Sequence, residues 1–209
     1  MRNWYDIDTI DEVDSPSLVL YEERLNFNLG KMLEMVNDDP SKLMPHIKTN
    51  KTAEVIRQMV NLGIKRFKAS TIAEAELAAR EGADSVLVAH QLVGPKINRF
   101  IALIQHFPTT KFAAILDNTD SLLALEKEAM NSNVSIDVYI DINNGMDRTG
   151  IEIGQGLNEL IDQIKTSNTL KFKGLHIYDG QFRDPDYDDR HAQVESAMQQ
   201  VLKLYEDLK

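Results

Sequence analysis

Cysteine is absent from the 209-residue chain, which excludes disulfide scaffolds, cysteine-bound zinc and thiol catalysis. Long apolar runs are absent too: none approaches the ~18 residues that a membrane helix requires. The amino terminus, MRNWYDIDTIDEVD, lacks the basic-then-apolar order of a secretory signal, so the expected compartment is the cytoplasm. Positive charge is in short supply. Lys and Arg number 23 against 33 Asp and Glu, a formal net charge of −10. Such a field opposes binding to DNA, RNA or anionic membranes. Hydrophobic residues make up 43% of the chain, enough for a sizeable core in one large domain or two small ones.

The little positive charge there is lies unevenly. Residues 1–15 and 179–189 each hold five acids and one base. Residues 42–68 hold seven bases (Lys42, Lys48, Lys51, Arg57, Lys65, Arg66, Lys68) and one acid, Glu54. A basic island in an acidic chain suits a small anionic ligand, although solvated helix and loop ends give the same pattern.

Short apolar runs alternate with helical patterns. The runs are Ser17–Tyr21, Leu43–Lys48, Arg66–Ser70, Ser85–His90, Lys111–Leu116, Ile136–Ile142 and Phe172–Tyr178. Each is bounded by Gly, Pro, Asn or Asp and reads as a strand. Helices are expected over Glu22–Val36, Thr52–Leu62, Thr71–Glu81, from Pro95, from Asn118 or Thr119 to Met130, over Gly156–Lys165 and over Asp189–Leu208. Gly63 and Gly82 stand where left-handed C-caps belong, and Ser70–Thr71 with Glu74 forms a capping-box pattern. Strict alternation argues for parallel βαβ units, in an open doubly wound sheet or a (β/α)8 TIM barrel. No Gly-rich phosphate loop follows the first strands, which weakens a dinucleotide-binding reading. Six barrel-type strands follow the first helix, where a closed barrel needs eight. The expectation is therefore an incomplete barrel, about two βα units short, or a sheet that never closes. Its uncovered edges are expected to promote self-association.

Chemistry in barrels sits at the carboxyl ends of the strands. His46 and Lys48 are two residues apart, so they share one face of the first barrel strand. A lysine projecting into an apolar mouth loses solvation and becomes a nucleophilic amine, suited to a Schiff base. A lysine just past the strand is simply solvated. Arg148 sits in the Asn143–Gly150 loop after the fifth barrel strand, either over the mouth or paired with Asp147 in a turn. His176 and Tyr178 share a face of the sixth, either in the pocket or in structural roles. His90 ends the third barrel strand, but His46, His90 and His176 have no local spacing that supports a metal site.

Taken in order, these segments resemble pyridoxal-phosphate (PLP) enzymes of the alanine-racemase-like barrel class. Within that class they are most similar to the D-threonine aldolase / D-serine dehydratase family. The resemblance rests on Ser15–Val19, on Pro45-His46-x-Lys48-Thr49-x-Lys51 and on Ser70–Thr71 with Glu74–Glu76. It rests further on Gly145-Met146-x-Arg148-x-Gly150 and on Tyr178-Asp179-Gly180 followed by Arg183–Asp186 and Arg190. Asn50 and Gln181 stand where that family usually has histidine.

The resemblance implies an alanine-racemase-type barrel over residues 22–209, and a strand within residues 1–21 that belongs to a C-terminal β domain outside this chain. It implies that Lys48 holds PLP as a Schiff base, that Arg148 hydrogen-bonds the ring phenolate, and that His46 and Tyr178 line the cofactor. The implied substrate is a small D-3-hydroxy amino acid, cleaved to glycine and an aldehyde. Dehydration to a 2-oxo acid, racemisation and non-catalytic PLP binding on the same barrel remain alternatives. No metal ligand is expected in this chain; the divalent metal of the family is held by residues beyond it. The expected assembly is a homodimer, and part of the phosphate cradle is expected to be missing.

Overall fold

The computed structural model describes residues 3–209. Helices and strands alternate along the chain: α1 (Glu22–Glu34), α2 (Ala53–Asn61), β1 (Arg66–Ala69), α3 (Ile72–Arg80), β2 (Ser85–Val88), α4 (Pro95–His106), β3 (Lys111–Leu116), α5 (Thr119–Asn131), β4 (Ile136–Ile142), α6 (Gln155–Thr166), β5 (Leu170–Ile177) and α7 (Tyr187–Asp207). The five strands form one sheet in the order β1-β2-β3-β4-β5. Every neighbouring pair is parallel. Spatial order thus equals chain order, as in a barrel wall, and no strand crosses back as in a doubly wound sheet.

Local signals set the turns. Thr71 accepts from Glu74 N at 3.2 Å, and the Glu74 carboxylate accepts from Ser70 N at 2.7 Å. At the other end of α3, Gly82 N reaches Ala79 O at 3.1 Å and Ala83 N reaches Ala78 O at 3.0 Å. That paired closure requires a left-handed residue, and Gly82 supplies it with φ +92°. Gly63 closes α2 through the same pair of bonds.

The main core lies between sheet and helices. It contains Phe67, Phe100, Ile136, Ile140, Leu122, Leu125 and Leu157, all fully buried. Each contributes on the order of 1.5–3 kcal/mol by leaving water. A smaller cluster on the other face joins Leu87, Ala113 and Ile115 with Met44, Ala89 and Tyr139.

Two expected strands differ. Leu43–Lys48 contributes only a single bridge, His46 to Lys68. Ile47 N donates to Lys68 O at 3.0 Å and Lys68 N to Pro45 O at 2.9 Å. Pro45 has no N–H to extend the ladder, and the chain turns at once, with Lys51 N donating to Ile47 O at 3.0 Å. The sheet therefore has five strands and a bridge instead of six strands. Ser17–Tyr21 forms no ladder among the described residues, and Leu18 is 98% exposed. Among the described residues, no helix is long and apolar enough to cross a membrane.

Candidate active site

The carboxyl ends of the strands gather the residues singled out by sequence. On one side is His46. Its Nδ1 accepts from Lys48 N at 3.3 Å, and its Nε2 faces Ser70 Oγ at 3.2 Å. A backbone N–H can only donate, so Nδ1 bears the lone pair and Nε2 the proton. The His46 pKa lies below its ordinary value, first because burial penalises the cation and then because Lys48 is close. Lys68, Glu74 and His176 also act on it, so these groups share one mouth.

Lys48 lies in the turn that follows the bridge and is exposed. Its side chain stands open to solvent and is not enclosed by the strands. The desolvated lysine is Lys68, one strand over and half-buried. Burial pushes its amine below the ordinary lysine range, while Asp141 and Asp179 pull it back up.

On the opposite side stands a short contact between an imidazole and a carboxylate. His176 Nδ1 meets Asp141 Oδ1 at 2.6 Å, and Asp141 is 3% exposed. The carboxylate can only accept, so the proton sits on Nδ1, and Nε2 is left for chemistry. Gln91 Nε2 reaches Asp141 Oδ2 at 3.3 Å and Asp117 Oδ2 at 2.6 Å. Asp117 Oδ2 also accepts from Gly150 N at 3.1 Å. One half-buried network, centred on buried Asp141, thus fixes the imidazole and anchors the arginine loop.

Arg148 is not paired with Asp147, whose carboxylate is taken by Asn143 Nδ2 at 2.9 Å. Its guanidinium instead lies over the Tyr178 ring, 4.8 Å from the centroid. Tyr178 folds back over Gly180, where any Cβ would overlap its hydroxyl. Gln181 Nε2 donates to Asn144 O at 2.6 Å, tying the last loop to the arginine loop. His90 lies at the same rim, but its Nδ1 faces Gln91 O at 3.2 Å. Among the described residues no group of His, Asp or Glu is placed to hold a metal ion.

Residues 21–209 match the family described as alanine racemase, N-terminal domain. The chain belongs to that family. The match agrees with the resemblance carried by the lysine, arginine and tyrosine segments, and this family's barrel is the fold that the five-stranded arc represents. The chain is 26% identical over 200 residues to the 3-hydroxy-D-aspartate aldolase of Paracoccus denitrificans (strain Pd 1222), covering 94% of this chain and 51% of that protein. It is 24% identical to the D-threonine aldolase of an Arthrobacter species, covering 96% of this chain and 52% of that one. The solved D-threonine aldolase of Filomicrobium marinum superposes with a TM-score of 0.81 at 26% identity, over 90% of this chain and 50% of the other. This alanine racemase family member thus spans about half the length of the curated relatives it matches.

Asp141, Asp117, Gln91 and Lys68 escaped the reading of the sequence as site residues. Asp141 had a signal. In Ile136–Ile142, the residues Asp137, Tyr139 and Asp141 alternate with buried Ile136, Val138 and Ile140, so they face the barrel interior, where an acid needs a partner.

Proposed function

We propose that this chain carries the cofactor-holding part of a PLP-dependent lyase acting on D-3-hydroxy amino acids, in the manner of a D-threonine aldolase. One observation supports the reading most. A free amine (Lys48), a carboxylate-anchored imidazole (His176–Asp141) and a guanidinium over a phenol ring (Arg148–Tyr178) all stand at one end of the sheet. The donor set fits the aldehyde and ring-oxygen ends of PLP: the exposed Lys48 amine can reach an aldehyde carbon, and Arg148 presents a permanent cation. Bound there, PLP would draw electrons from the α-carbon of an amino acid.

The protein's own groups would do the rest. His176, held by Asp141 through Nδ1, has Nε2 free to take a proton from a β-hydroxyl. Lys68 brings positive charge to the mouth for the substrate carboxylate. His46 lines the Lys48 side in its neutral form. In this reading the segment Ser17–Tyr21, with Leu18 exposed, packs on a further domain.

The test is borohydride reduction in the presence of PLP, followed by peptide mapping and by assay of the whole protein with D-threonine. Pyridoxyl label on Lys48 and release of glycine are expected. Label on Lys68 would transfer the role to the desolvated amine. Formation of a 2-oxo acid and ammonia would make the protein a dehydratase.

A further inference from the structure

Beside the mouth, where the first turns of α3 and α4 approach, lies a cavity of about 300 Å3. Apolar Ile72, Val88 and Leu92, all buried, form part of its lining. Ser70, Thr71, Ala73 and Gln91 add neutral lining, and the charged groups in it are cations. Lys96 and Arg99 stand one turn apart on α4, and His90 joins them. No carboxylate lines the cavity. Neither Lys96 nor Arg99 has an ion-pair partner among the described residues. His90 Nδ1 carries its proton toward the Gln91 carbonyl at 3.2 Å, which leaves Nε2 available.

The start of α3 is already capped, by Thr71 on Glu74 N and by Glu74 on Ser70 N. The attraction for an anion therefore comes from side chains, not from the helix end. Two unpaired cations over an apolar lining, in a volume at the lower end of small-molecule sites, call for a ligand with both characters.

We propose that this cavity binds a small organic anion, a carboxylate or phosphate ester carried on an apolar body, at a site separate from the mouth. Arg99 offers a fork for paired oxygens and Lys96 a point charge. Ile72 and Leu92 take the apolar part. Ser70 and Gln91 form the wall shared with the mouth: one touches His46, the other Asp117 and Asp141.

The experiment titrates phenyl phosphate into the protein, followed by calorimetry and by NMR. Saturable binding is expected, with shifts centred on Ala73, Leu92 and Arg99. Reversing the charge in a Lys96→Glu/Arg99→Glu double variant should weaken it by at least about tenfold. Both residues are exposed, and an unchanged circular dichroism spectrum will show that the fold is kept; a Lys96→Gln/Arg99→Gln pair reads the same loss more gently. Lys48→Ala should bind as the parent does. Inorganic phosphate and phenol, each half of the ligand, should bind far more weakly. The proposal is overturned by absence of binding, by unchanged affinity in both double variants, by loss of binding in Lys48→Ala, or by equal affinity for inorganic phosphate. A change in sedimentation on charge reversal would also overturn it, by giving the two cations to an interface between copies.

Discussion

Replacing Gly150 by alanine is expected to unseat the arginine loop. Gly150 has φ +97°, and a methyl group there would lie 2.5 Å from Asn143 N and 2.6 Å from the Ile142 carbonyl carbon. Both are backbone atoms, so no side-chain rotation relieves the overlap. Keeping the turn costs about 1–2 kcal/mol for the left-handed conformation alone, before the overlap is counted. Opening it gives up Asn143 N to Ile151 O at 3.0 Å, Ile151 N to Asp141 O at 2.9 Å and Gly150 N to Asp117 Oδ2 at 3.1 Å. Two neutral bonds at about 1 kcal/mol each and one to a carboxylate at about 1.5–3 kcal/mol would be lost. The expected destabilisation therefore lies between about 2 and 5 kcal/mol, a large share of the ~5–15 kcal/mol available to a domain. Urea unfolding followed by circular dichroism should show the midpoint lowered by about 1–2 M. Gly154→Ala is the control: nothing lies within 4 Å of a Cβ there, and the midpoint should hold. A Gly150→Ala protein within about 0.5 kcal/mol of the parent would refute the claim that the loop is rigidly seated.

Two further outcomes are expected. Gly30 lies inside α1 with nothing within 4 Å of a built Cβ, so Gly30→Ala should stabilise by about 0.5–1 kcal/mol, seen as a higher melting temperature; a lower one would mean that α1 packs differently. His46 titrates below its ordinary 6.5, from burial first and Lys48 second. As pH falls through that ordinary value, the unfolded chain gains the proton before the folded one, so the folded state loses stability. The parent should therefore lose more stability than His46→Gln between about pH 7 and pH 5, and parallel urea midpoints across that range would contradict the assignment.

Much of the scaffold was legible because its signals are local. Lys111–Leu116 and Ile136–Ile142 are strands with the bounds that their residues suggested. Gly63, Gly82 and Thr71 stop and start helices through bonds that involve only near neighbours. What stayed hidden depends on separation in the chain. His176 and Asp141 are 35 residues apart, and Gln91 and Asp141 are 50 apart; only the packing of three strands joins them. Lys48 was read as either projecting inward or solvated, and alternation alone could not decide. The structure decides it: Lys51 N bonds back to Ile47 O, so the chain turns at once after the bridge and leaves Lys48 exposed. Lys68 drew notice only as one member of a basic island, because its burial is conferred by neighbouring strands.

The coincidence of chain order with spatial order has a mechanical consequence. Each of β2, β3 and β4 is bonded to the strand directly before and the strand directly after it, as in a linear array. The flanks carry the chemistry. Lys48 follows the single bridge beside β1, and His176 lies on β5, while Asp117 and Gln91 follow the protected interior strands β3 and β2. A molecule gripped at once by Lys48 and His176 would act as a clasp across the arc, and its binding energy would couple the two sides.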